Sequence, residues 1–154
     1  MFLTKVFLGI ALWICYAITD GITDGFTFHK SKLANNFDNK VFKKDIHGIF
    51  TIKRAILASV VTLWFINDFD DIKKLVLFSN MYLITLGLMY PLFHNGFYYI
   101  TRKHLDPKQT FTGFSTDDFS KDSTARINVG LFFIRKMLFY ISIAVLIACL
   151  LIVK

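Results

Sequence analysis

A chain of 154 residues that is 55% hydrophobic and 17% aromatic, with 18 Phe and a positive mean hydropathy, is too apolar for an average soluble domain. One soluble core of this size could not hide four long apolar runs, so lipid is the expected solvent. The formal net charge of +7 would suggest nucleic acid in a soluble protein; here the lysines flank apolar runs, which favours membrane lipids as partners and no nucleic acid.

The first apolar run, Val6 to Thr19, becomes a full span if its helix continues through DGITDGFTF to Phe28. Lys5 ahead of it fits a secretory leader, but no small-x-small cleavage pattern closes the run, so it is read as a span. A second run, Gly48 to Ile66, reaches spanning length only by including Lys53 and Arg54. The third, Leu75 to Ile100, contains Pro91, His94 and Asn95; the fourth, Met137 to Val153, is uniformly apolar and starts earlier if Arg135 and Lys136 are included. All four must be helices, because a lone strand would leave backbone groups unpaired in lipid. Cys15 and Cys149 each lie inside an apolar run with no Cys or His at ligand spacing and read as small hydrophobes.

Basic residues fix the orientation. Seven of them (Lys30, Lys32, Lys40, Lys43, Lys44, Lys53 and Arg54) join spans one and two. Another seven (Arg102, Lys103, Lys108, Lys121, Arg126, Arg135 and Lys136) join spans three and four. The opposite side has only Lys5, Lys73, Lys74 and Lys154. The expected fold is therefore all-α, a single-domain integral membrane four-helix bundle over residues 1–154, with spans at about 3–27, 47–67, 75–101 and 128–153. Both termini are expected outside and both longer loops in the cytoplasm, in a multi-pass protein of the cell (inner) membrane. Phe111, Phe114 and Phe119, set among Ser, Thr and Asp, suit a segment lying on the membrane surface.

At about 1.5 Å per helical residue, Asp20, His94 and Arg135 each lie roughly 27 to 29 Å from the outer end of their span, and Lys53 about 20 Å. Polar groups on four helices thus share one level near the cytoplasmic boundary of a core roughly 30 Å thick. Asp20 and Asp24 are four residues apart on one helical face, with Gly21 and Gly25 permitting close backbone approach. Tyr90, His94 and Tyr98 form a matching stripe beside Asn95, one turn past the kink expected of Pro91.

Two carboxylates and an imidazole can bind a divalent metal or exchange protons. The candidate catalytic residues are Asp20, Asp24 and His94; the same three, joined by His29, are the candidate metal ligands. Lys53, Arg54 and Arg135 are the candidates for binding a substrate phosphate. A structural alternative stands beside this, in which Asp20 and Asp24 pair with Lys53, Arg54, Arg135 or Lys136 simply to neutralise charge at depth. His47 and His104 fall in loops or at boundaries, and Trp13, Trp64, Tyr98 and Tyr99 read as packing or interface anchors. The lysines between Lys30 and Lys44 read first as a topology signal and second as a headgroup-binding skirt.

The run DGITDGFTFHKSK invites comparison with CDP-alcohol phosphotransferases, but its aspartates stand one residue too far apart, the following Ala-Arg is missing and no later Asp pair completes the set. No hydrolase, zinc-helix or phosphate-loop motif is present. Taken with FHNGFYYITRKHLDP and the Ser/Thr-rich loop before the last span, that run resembles a group of uncharacterised four-span proteins of Bacteroidota and their phages. The resemblance implies a shared layout and a recurrent Asp and His arrangement, and no activity. Two functions remain open: a metal-dependent enzyme acting on a lipid or lipid-like substrate, and a small oligomeric channel, transporter or accessory subunit without catalysis.

Overall fold

The computed structural model describes residues 1–33, 63–115 and 131–153, with Ile52, Ala55, Ile56, Ser59 and Val60 between them. Three helices, α1 (Phe2–Leu33), α2 (Ile72–Leu105) and α3 (Phe132–Val153), carry the fold, and there is no strand among the described residues. Each is long and apolar enough to cross a membrane. The sequence expectation of a second span falls largely outside the described residues. Those of its positions that are described, from Ile52 to Leu63, are helical and exposed, and a 3₁₀ turn at Ile66–Asp68 follows.

At about 1.5 Å per residue, α1 with 32 residues and α2 with 34 are both roughly 50 Å long, well beyond a 30 Å hydrocarbon core. At the end holding Asp24 and His94, α1 runs six residues and α2 four residues past its expected span, and α2 also starts three residues earlier than expected. There, α1 continues through Asp20, Gly21, Asp24 and Gly25 without a break, and α2 passes Pro91 without ending. The start of α2 is fixed by Asp71, whose carboxylate accepts the Lys73 backbone N–H at 2.8 Å. Its last turn carries the cations Arg102 and Lys103, the sign favoured by the helix dipole, and the Asp106 N–H caps the Arg102 carbonyl.

Among the described helices α2 is the central one, packed against both α1 and α3. Val6, Ile10 and Trp13 of α1, Phe78, Tyr82, Leu86 and Met89 of α2, and Leu146 and Cys149 of α3 form the buried core together with Phe65. Phe78 sits at its centre, with the rings of Phe65, Phe2 and Tyr82 at 5.0, 5.3 and 5.4 Å between centroids. Lipid offers no hydrophobic drive for helices to associate, so close packing and interhelical hydrogen bonds must hold them. Trp13 Nε1 donates to the Leu86 carbonyl at 2.8 Å and the Tyr82 hydroxyl to the Val6 carbonyl at 3.0 Å, both buried. Trp13 is thus an internal strut, not an interface anchor. At the bundle end holding the N-terminus, Lys5 Nζ lies 2.7 Å from Asp68 Oδ2, so α1 begins where the turn before α2 lies.

Candidate functional site

Toward the opposite end, α1 and α2 bring their polar stripes face to face. Gly21 and Gly25 are the reason they can. A Cβ at Gly21 would collide with the His94 backbone carbonyl, and one at Gly25 would come within 2.8 Å of the Thr101 Cβ. The helices therefore meet almost backbone to backbone, and the aspartates on either side of Gly21 reach the α2 side chains directly.

Asp24 Oδ2 lies 3.0 Å from His94 Nε2, and Asp20 Oδ2 lies 3.9 Å from the same nitrogen. Asp20 is only 4% exposed; Asp24 and His94 are half-buried. The Tyr90 hydroxyl donates a short hydrogen bond to Asp20 Oδ2, and Asn95 Oδ1 lies 2.9 Å from His94 Nδ1. The imidazole is held between two rings of its own helix, Tyr90 at 4.8 Å and Tyr98 at 6.4 Å between centroids, both stacked with it. Its orientation is thus set on three sides, by the rings above and below and by Asn95 at the nitrogen facing away from the carboxylates.

One ligand atom from each of Asp20, Asp24 and His94 falls within 4.8 Å of the others. Metal bonds of about 2.0–2.2 Å to oxygen and nitrogen place neighbouring ligand atoms roughly 3 to 4 Å apart, so a small adjustment of Asp20 would close the set around one ion. His29 is not part of this group. It lies on α1 beside a small cavity lined by Phe28, Arg102, Asp106 and Gln109.

The basic candidates divide. Lys53 and Arg54 lie outside the described residues. Arg135 is fully buried on α3, where a guanidinium N–H donates to the Gly113 carbonyl at 3.2 Å and the charge sits 5.7 Å from the centroids of both Tyr99 and Phe132. It braces the loop after α2, and the structure does not bring it to the Asp–His group. His104 is exposed on the last turn of α2, and His47 lies outside the described residues.

Arg102 is a residue that sequence reasoning missed. It is 4% exposed and continues the Tyr90–His94–Tyr98 stripe by one more turn. Its guanidinium carbon lies 4.1 Å from the Phe28 centroid, 5.1 Å from Phe111 and 5.5 Å from Tyr98, whose hydroxyl accepts a long hydrogen bond from it. Phe28 stands eight residues after Asp20, on the same face of α1. That spacing was the available signal. Phe111, expected on the membrane surface, is buried against Tyr99 at 4.8 Å, because Gly113 (φ 87°) turns the loop back onto α2 beside Gly96 and Ile100.

The chain finds no match among protein-family models, curated proteins or solved structures. The chemistry of the site therefore rests on its own geometry. One buried and one half-buried carboxylate with an imidazole can hold a divalent cation or relay protons, and each outer partner, Tyr90 and Asn95, fixes a donor of the set.

Proposed function

We propose that Asp20, Asp24 and His94 bind one divalent cation between α1 and α2, and that the protein is a metal-dependent enzyme acting on a lipid or lipid-like substrate at the cytoplasmic face of the cell membrane. The observation behind this is the convergence of three ligand atoms from two helices within 4.8 Å. Two carboxylate oxygens and one imidazole nitrogen suit manganese, iron or zinc better than copper(I), which favours thiolate and thioether ligands. Such an ion supplies Lewis acidity, or a water made acidic enough to attack near neutral pH. Tyr90 holds Asp20 and Asn95 holds His94, so the donor set is oriented in advance. The helix lengths support a site near the bilayer surface, since Asp20 lies about 27 Å along α1 from Phe2. A substrate with its chain in the membrane and its polar head at the boundary would reach the group there.

The test is metal analysis of the purified protein beside Asp20→Asn and His94→Ala. The native chain should retain close to one equivalent of metal, and each variant should bind it about 10- to 100-fold more weakly and lose lipid turnover. A native protein purified from metal-replete cells with no metal, and variants with unchanged turnover, would sink the reading.

A second reading is a non-enzymatic oligomer, such as a channel, transporter or accessory subunit. It draws on Thr19, Thr23 and Thr27, a hydroxyl stripe running down α1 on which Thr19 and Thr23 are exposed. Each of the three hydroxyls donates back to a carbonyl of its own helix, so the stripe tolerates lipid as well as a neighbour. A monomer in mild detergent would count against this alternative.

A further inference from the structure

At the bundle end holding Lys5, a second cavity of about 740 Å³ lies between the chain ends. That is within the roughly 300–1,000 Å³ typical of small-molecule sites. Its apolar lining comes from Phe2 and Leu3 in the first turn of α1 and from Ile147, Leu150 and Leu151 near the end of α3. Ile147 is six residues before Val153, so this lining descends about 9 Å into the bundle. The polar lining comes from the turn before α2 and its first residues: Asp68, Asp70, Asp71 and Lys74.

These four charges are not equivalent. Asp68 is engaged by Lys5, and Asp71 caps α2 through the Lys73 N–H. Asp70 and Lys74 are exposed, and among the described residues neither has a hydrogen-bonding or ionic partner, not even each other. An uncommitted carboxylate and an uncommitted ammonium thus stand over one greasy cleft. A lone carboxylate would select a cationic amphiphile, and a lone ammonium an acidic one. The two together match a head that carries both signs.

We propose that this cavity binds one aminophospholipid molecule, its phosphate on Lys74, its primary ammonium on Asp70 and an acyl chain along Leu3, Ile147 and Leu150. The site depends on the helices crossing a membrane and is independent of the metal centre at the opposite end. Phosphatidylglycerol would meet Lys74 equally well but bring no cation to Asp70. Phosphatidylcholine brings a cation that has no N–H to donate.

Native mass spectrometry of the full chain in mild detergent, titrated in turn with dioleoyl phosphatidylethanolamine, phosphatidylglycerol and phosphatidylcholine, tests it. One phosphatidylethanolamine should be retained roughly tenfold more tightly than either of the others, the difference one charge-assisted hydrogen bond makes. Asp70→Asn should erase that preference, and Lys74→Gln should weaken all three lipids alike, since each carries the same phosphate. Both substitutions lie on exposed positions, so the fold survives them, and circular dichroism verifies this. Leu150→Trp, which fills the cleft, should lower retention of all three lipids. Equal retention of the three by the native chain, a preference that survives Asp70→Asn, or phosphatidylethanolamine retention unchanged in Lys74→Gln, would overturn the proposal.

Discussion

Arg102 places its guanidinium in a cage of rings where water is scarce, a place a flexible ammonium would not suit. A planar guanidinium can lie against Phe28, Phe111 and Tyr98 at once, 4.1 to 5.5 Å from their centroids, and still reach the Tyr98 hydroxyl. Arg102→Lys should therefore lower stability by about 1–2 kcal/mol although the charge is kept, read as a shift in a denaturant unfolding curve in detergent. An unchanged midpoint would mean that the rings only happen to be near. Gly21 is the second residue on which much turns. Gly21→Ala would push its new methyl into the His94 carbonyl, and the helices would have to part. The expected cost is about 1–3 kcal/mol, and metal retention should fall with it because Asp24 and His94 can no longer meet at 3.0 Å. Metal content measured alongside the unfolding curve checks both halves of that statement.

Two glycines separate what a helix tolerates from what a loop requires. Gly113, at φ 87°, turns the segment after α2 back onto its own helix, and a Cβ there would press on the Ile100 side chain and the Gly96 carbonyl. Gly113→Ala should cost about 1–2 kcal/mol from the backbone alone, and it should expose Phe111 and Arg135 to proteolysis and labelling of the loop. Gly87 lies inside α2 with open space around it, so Gly87→Ala should instead stabilise by about 0.5–1 kcal/mol. Opposite signs in paired thermal melts are the expected result. The same contrast explains what could be read in advance. Asp20, Asp24 and His94 were legible as a facing group because helical spacing and depth follow from residue number alone, and Gly21 and Gly25 announced the close approach. The burial of Phe111 and Arg135 was not legible. It depends on one residue adopting a left-handed conformation, and nothing around Gly113 in the sequence distinguishes a returning loop from one lying on the membrane. From sequence alone Arg102 is one more basic residue marking the cytoplasmic side, because its cage is completed by Phe111 from that same loop.

At the scale of the molecule, the Lys5–Asp68 pair puts the start of α1 and the turn before α2 at one end, and the Asp–His group lies toward the other. Charge sets the expectation of which end faces the cytoplasm. Fourteen basic residues accompany the two long connections, and four accompany the end with Lys5. Inserting the chain the other way would carry most of those fourteen across the bilayer, so the end with Asp70 is expected outside and the loop with Lys108 inside. Asp70 and Lys108 are both exposed, and Cys15 and Cys149 can be replaced by Ser and Ala to give a clean background. In intact cells, a membrane-impermeant maleimide should label a cysteine placed at 70 and leave one at 108 unlabelled until the membrane is opened. The reverse pattern would invert the protein. It would also move the Asp–His group to the outer surface, away from any substrate confined to the cytoplasmic leaflet, so the labelling result bears directly on which lipids the site could ever meet.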